Sequence, residues 1–301
     1  MEFFPIATIS DAMLISSNAP ETDQPEYAAG TSYALGAFVQ RSVAGVHRVY
    51  KSAVASNLGN TPELSTTQWI DQGPTNRWAC FDQVIGTATA LASPLTITIA
   101  PGQVDALALL ELVGSSVTVT MTSASESGAT VYSRTVSLDA TVVLDYYDYF
   151  FADYEQRTTV VLTDLPPYGD GQITITLTGP DTVKLGMLAV GKQIDIGDVQ
   201  LGAKAGIKSY STKITDSFGK TKVNKLPNAK RPSFVLWVDK AAFNRVYRKL
   251  AKYDAQLCIW IGSQDPDYAE GLIACGIYKD FQLEATYKKA CLCSLEIEGY
   301  T

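Results

Sequence analysis

Between residues 81 and 190, apolar and hydroxyl-bearing positions alternate with a period of two. Val117, Val119 and Met121 interleave with Thr118, Thr120 and Thr122, and Ile173, Ile175 and Leu177 with Thr174, Thr176 and Thr178. Ile97 and Ile99 do the same with Thr96 and Thr98. Successive side chains of a strand point to opposite faces, so each run predicts a strand with one greasy and one wettable side. Turn residues such as Ser127-Gly128 and Gly169-Asp170-Gly171 separate the runs. Together they predict an antiparallel β-sandwich, jelly-roll-like, over 81–190.

The period changes on either side. Over 191–301, strand-like runs at 194–201, 233–238, 257–261, 273–278 and 291–297 surround one helical stretch, where Phe243, Val246, Tyr247 and Leu250 fall at i, i+3, i+4 and i+7. That spacing predicts a helix capped by Asp239 and running to about residue 253, its apolar stripe on a core and Arg245, Arg248 and Lys249 in water. The expected unit is α+β, one prominent helix packed on a sheet. Residues 1–26 read as an arm and linker, suited to adding a strand to another domain or subunit. In residues 27–80, Tyr33, Tyr50 and Trp69 are separated by Gly36, Gly59 and Pro62, which predicts a small β module whose rings take the place of a conventional core. The whole chain reads as mainly β and multidomain.

The order Tyr33, Gly36, Val39, Tyr50, Gly59, Pro62, Trp69, followed by Asn76-Arg77-Trp78, resembles the small aromatic modules related to chitin-binding domains of carbohydrate-binding families 5 and 12 that recur in bacteriophage tail proteins. An acidic lead-in, Ser17-Asn18-Ala19-Pro20-Glu21-Thr22-Asp23, and the joint Asn76-Arg77-Trp78-Ala79-Cys80-Phe81-Asp82 bracket the module as they do in such proteins. Tyr278-Lys279-Asp280-Phe281 and the closing Cys293-Ser294-Leu295-Glu296-Ile297-Glu298-Gly299 are similar to the C-terminal domains of the same proteins. The resemblance is strongest over 11–82 and implies a virion protein of the tail tip or baseplate, assembled in the bacterial cytoplasm. It implies copies of itself in a ring and other tail proteins as partners. It also raises host-surface glycan as an alternative ligand, with Tyr27 and Trp69 as candidate contacts. The glycan-binding members carry an exposed aromatic pair after the Tyr-containing strand, whereas Tyr50 here is followed by Lys51-Ser52-Ala53-Val54-Ala55-Ser56-Asn57. Tyr33, Tyr50 and Trp69 are therefore expected in the core first, and the module is expected to act as a spacer or assembly domain.

Charge divides the chain. Residues 1–190 hold 7 basic and 19 acidic side chains, net −12, while residues 191–301 hold 17 basic and 12 acidic, net +5. Opposite signs suit attraction between neighbouring copies, and independent domain composition accounts for them equally well. Two segments sharpen the first view. Tyr146, Tyr147, Tyr149, Phe150, Phe151 and Tyr154 are interleaved with Asp145, Asp148, Asp153 and Glu155, a mixture that protein contacts use because rings supply rigid area and acids fix orientation. A calcium loop competes for Asp145, Asp148 and Asp153, yet the regular spacing and glycine of such a loop are missing. Residues 204–231 form a basic arm with eight cations, among them Lys208, Lys213, Lys220, Lys222, Lys225, Lys230 and Arg231, against one acid, Asp216. Nucleic acid is set aside as its partner, because only Tyr210 and Phe218 offer rings for stacking and the chain as a whole is acidic.

Chemistry is sparse. Cys80, Cys258, Cys275, Cys291 and Cys293 form no CxxC pair and His47 is the only histidine, so no zinc set assembles and no cofactor is expected. Cys291 and Cys293 read as small apolar fillers, and reduced thiols suit cytoplasmic assembly. Gly186-Met187-Leu188-Ala189-Val190-Gly191-Lys192 imitates a phosphate loop but is followed by Gln193 where Ser or Thr is required. His47 reads as a polar surface residue with no serine elbow to serve, and the pairs Asp195/Asp198 and Asp265/Asp267 read as turn residues. No enzyme is expected, and no apolar run reaches the length of a membrane-spanning helix. Met1-Glu2-Phe3-Phe4-Pro5 lacks the basic start of a secretory signal.

Overall fold

The computed structural model describes residues 1–215, 217–285 and 287–300, apart from the side chains of Pro266 and Asp267. The fold is mainly β, built from antiparallel sheets with one prominent helix, Phe243–Lys252. Two compact units emerge, residues 8–189 and residues 1–7 with 190–301.

In the first unit the alternating runs become a five-stranded sheet ordered Ala129–Ser137, Ser116–Ser123, Gly171–Thr178, Leu95–Ile99, Leu14–Ser17. Register aligns like with like: Ile173 lies opposite Ile99 and Met121, and Ile175 opposite Ile97 and Val119. These six side chains are at most 1% exposed, so one face of the sheet is a continuous apolar surface. On the other face hydroxyls pair across strands, as at Thr98 and Thr174 (3.0 Å) and Thr118 and Thr135 (2.9 Å). A second, three-stranded sheet, Thr159–Leu162, Ala106–Leu110 and Met187–Gly191, makes the architecture sandwich-like, and every residue of its central strand is buried.

The same unit holds the small module, strands Phe38–Arg41, Arg48–Ser52 and Trp69–Pro74. Val39, Tyr50 and Trp69 form its core, with Tyr27, Tyr33 and Val46 packed around them. Trp69 meets Tyr33 and Tyr27 edge-on at 5.3 and 5.9 Å, and its indole Nε1 donates to Asn60 O at 2.8 Å. The rings do replace a larger core here, each burying a wide area with few rotatable bonds.

The second unit is a seven-stranded antiparallel sheet ordered Ile194–Asp195, Glu2–Pro5, Cys258–Ile261, Ile273–Glu284, Ala290–Gly299, Ser233–Asp239, Asp198–Val199. Both edge strands come from one stretch, 194–199, so closure from one edge to the other runs through the chain itself. Ile196 N–H donates to Met1 O at 3.0 Å, and a side chain on Gly197 would strike Trp237 O at 2.5 Å, which requires glycine at the closure. Phe3 enters the core and stacks on Trp260 at 4.6 Å. Val246 and Leu250 of the helix pack into the same core. The helix departs from expectation in two respects. It starts at Phe243 after a 3-10 turn, Lys240–Ala242, and Asp239 ends a strand without a side-chain capping bond. Tyr247, placed on the buried stripe by its spacing, is 53% exposed and touches Phe281 edge-on at 6.0 Å.

Candidate functional site

Residues 140–155 leave the sandwich and return at one point, where Asp139 bridges Gln156 and Ala140 N–H donates to Glu155 O at 2.9 Å. At the tip is the helix Tyr146–Phe151. Asp145 starts it by accepting from the N–H groups of Tyr147 (2.8 Å) and Asp148 (2.9 Å), while Asp148 accepts from Leu144 N–H at 3.1 Å. Two carboxylates thus satisfy the exposed donors of a helix too short to hold by propensity. Its side chains find no core: Tyr146 is 89% exposed, and Tyr147, Tyr149, Phe150, Phe151 and Tyr154 lie between 61% and 71%. Four of the rings pair, Tyr147 with Phe151 at 4.9 Å and Tyr149 with Phe150 at 5.1 Å. An open groove of about 330 Å³ runs between Val143, Leu144, Asp145, Tyr146 and Tyr149. A helix apolar on all sides belongs in a core or against a partner, and this one has no core.

The basic arm divides into a root and a tip. At the root, Lys208 is paired with Glu298 and Arg231 with Glu296, and Lys230 Nζ donates to Glu270 O at 2.7 Å. Burial lowers the Lys230 pKa, and hydrogen bonds from Lys208 to Glu298 and Tyr210 raise its own. These three cations hold the arm to its own unit. At the tip, Thr212–Thr215 pairs with Thr221–Asn224 in a two-stranded ribbon exposed at every position. Lys213, Lys222 and Lys225 extend from it without an ion pair to any described residue, and Lys220 sits at its turn. Asp216, the arm's one acid, lies outside the described residues.

The candidate glycan contacts are placed differently. Trp69 is 2% exposed and keeps no ring face for a sugar, because the module needs its area as core. Tyr27 is half-buried, stacked on Tyr33 at 5.7 Å with the Arg41 guanidinium 5.5 Å from its ring centroid.

Sequence reasoning missed a polar cluster around His47, which is not a surface residue: its side chain is 14% exposed. Its Nδ1 lies 2.7 Å from Glu21 Oε1, its Nε2 3.2 Å from Asp11 Oδ2, and the ring stacks on Trp78 at 4.3 Å. Glu21 also accepts from Thr75 Oγ1 at 3.0 Å and faces Arg77 at 3.7 Å. Burial raises the Asp11 carboxyl pKa, but hydrogen bonds from His47 and Gly45 N–H outweigh it and leave the group lowered. Asn76 completes the joint through Ala90, giving Nδ2–H to its O at 2.9 Å and taking its N–H at 2.8 Å. The acidic lead-in and the Asn76-Arg77-Trp78 joint, which the sequence singled out separately, are thereby one hydrogen-bonded knot.

Other motifs resolve as packing. Side chains on Gly186 and Gly191 would strike Glu111 and Pro5 O at 2.5 and 2.4 Å, so close approach explains both glycines. Asp195 accepts from Gly197 N–H in the closing turn, and the side chain of Asp267 lies outside the described residues. All five cysteines are buried, and burial pushes the thiols of Cys80, Cys258 and Cys275 up to about 12. Among the described residues no three metal-ligating side chains converge, and no helix is long and apolar enough to cross a membrane. No protein-family model matches the chain, and no curated protein shows significant similarity to it.

Proposed function

We propose that the chain is a structural component of a bacteriophage tail, in the tail-tip or baseplate region, and works as one member of an assembled ring of identical copies. The observation that carries this reading is the aromatic insertion, residues 140–155, which commits six large rings to solvent, five of them on a helix fixed by its own carboxylates. Exposed apolar area on that scale is a liability unless a partner covers it. The entry, module and joint landmarks that resemble tail proteins support the placement in a virion, and their hydrogen-bonded knot suits a part that must hold its shape under load. The module acts as a spacer in this reading, since its rings are used internally.

Mass spectrometry of purified particles, with antibody labelling under the electron microscope, tests the placement. The expected result is stoichiometric protein in particles and label at one end of the tail. Particles of the phage encoding it that lack the protein overturn the reading.

A further inference from the structure

We infer that the aromatic insertion of one copy receives the basic ribbon of a second copy of this chain, in a head-to-tail contact that repeats from copy to copy. The inference rests on the assembly reading and names its two surfaces and its partner.

Both surfaces are incomplete alone, and in complementary ways. A two-stranded ribbon is marginal in water, and its outer edges present unpaired backbone groups. The register sets Lys213 opposite Val223 and Ile214 opposite Lys222, so each face of the ribbon carries one ammonium beside one β-branched apolar group. Val223 and Ile214 are 63% and 58% exposed. The insertion offers the converse, rings and an apolar groove with Asp145 in its lining, and the same insertion carries Asp148, Asp153 and Glu155, the last two exposed. Asp153 and Glu155 form no ion pair with a described residue. A lysine stem lies well along an aromatic face while its ammonium reaches a carboxylate or the ring itself, and a branched side chain fits the groove.

One occupant therefore satisfies both halves. Nucleic acid would match the ribbon but be repelled by the insertion's acids and leave its rings uncovered. The two surfaces differ, so the contact is heterologous, and heterologous contacts build rings when the rotation closes.

The test uses the full-length chain in three versions: unchanged, with Asp153→Lys and Glu155→Lys, and with Lys213→Glu and Lys222→Glu. All four positions are exposed and none caps a helix, and circular dichroism and melting confirm folding of each version. By sedimentation velocity the unchanged chain is expected to associate beyond a dimer, more weakly as salt rises. Each variant alone should lose association by about tenfold or more. An equimolar mixture of the two variants should associate from pairs upward, because one retains an intact ribbon, the other an intact insertion, and the two exchanged surfaces are complementary in turn. All four substitutions in one chain should restore association with the charges exchanged.

An unchanged chain that stays monomeric overturns the inference. So does association indifferent to either variant, or a mixture without a pair, including the case where the ribbon variant loses affinity only for a DNA oligonucleotide. Protein found in particles but no pair in the mixture sinks this contact and leaves the assembly reading standing. A pair without protein in particles does the reverse.

Discussion

Two groups of rings within residues 8–189 meet opposite fates. Tyr27, Tyr33, Tyr50 and Trp69 converge, with Tyr50 6% and Trp69 2% exposed, whereas Tyr146, Tyr147, Tyr149, Phe150 and Phe151 stand 68% to 89% exposed. Tyrosines make up most of both groups, so type does not decide. Spacing does. The module's rings are separated by turns, so strands bring Tyr50 and Trp69 to one centre and the segment before the first strand brings Tyr27 and Tyr33 against them. Those of the insertion are nearly consecutive, so a six-residue helix distributes them around its circumference and its own turns cover none of them. Rings that turns bring together make a core, and rings crowded into one short helix are left to solvent.

Trp69→Ala is the sharpest way to break this comparison. Removing a fully packed indole is expected to destabilise the module by about 3–5 kcal/mol, read by urea unfolding of the intact chain as an early transition. A loss within about 0.5 kcal/mol, the range of an exposed substitution, would mean that the module does not depend on its rings.

His47→Ala comes next. It leaves Glu21 and Asp11 without a shared neighbour and removes the ring on Trp78, and an unsatisfied, mostly buried partner costs about 1–3 kcal/mol. The module and its entry segment should loosen together, visible as raised hydrogen exchange across 11–23 and 75–78. Exchange that rises only at 45–49 would show that the knot does not join them.

That knot marks the limit of what the chain discloses unfolded. The threonine-interleaved strands were legible because their period is local, and pairing merely aligned Ile173 with Ile99 and Met121. The cluster of Asp11, Glu21, His47 and Trp78 was not, since its members lie scattered over 68 positions and none carries a spacing. The role of 194–199 at both sheet edges was hidden likewise, because two-residue strands have no period and their partners, Glu2–Pro5 and Ser233–Asp239, are remote in sequence. The strand Ile273–Glu284 continued past residue 278 because pairing with Ala290–Gly299 overrides the polar run Lys279-Asp280. Of the site, the aromatic insertion and basic arm were readable as segments, but the division of the arm into a tethered root and a projecting tip required Glu296, Glu298 and Glu270 to be in place.

Phe150→Ala should behave as the opposite of Trp69→Ala. At 70% exposure its loss is expected to move stability by no more than about 0.5 kcal/mol while weakening self-association measurably. Melting and sedimentation on the same sample separate the two effects, and a stability loss comparable to that of Trp69→Ala would erase the distinction between the two groups of rings.

The carboxylates repeat the contrast on a smaller scale. Asp170 accepts from the Ser125 hydroxyl and N–H, each at 2.6 Å, and from the Ser123 hydroxyl at 2.9 Å, and these bonds hold its carboxyl at about 2. A carboxyl whose pKa falls on folding stabilises the fold above its ordinary value of 3.8, and that contribution is lost as the pH drops through about 2. Asp170→Asn should therefore be less stable than the unchanged chain near neutrality, by a small margin because the site is exposed, and the margin should vanish at the acid end. Self-association should be untouched, since this acid already has its donors. Asp153→Lys with Glu155→Lys should show the reverse, unchanged stability near neutrality with lost association. If Asp170→Asn also disrupts association, the acids facing inward and outward are not separate sets, and the insertion cannot be treated as a surface independent of the sandwich that carries it.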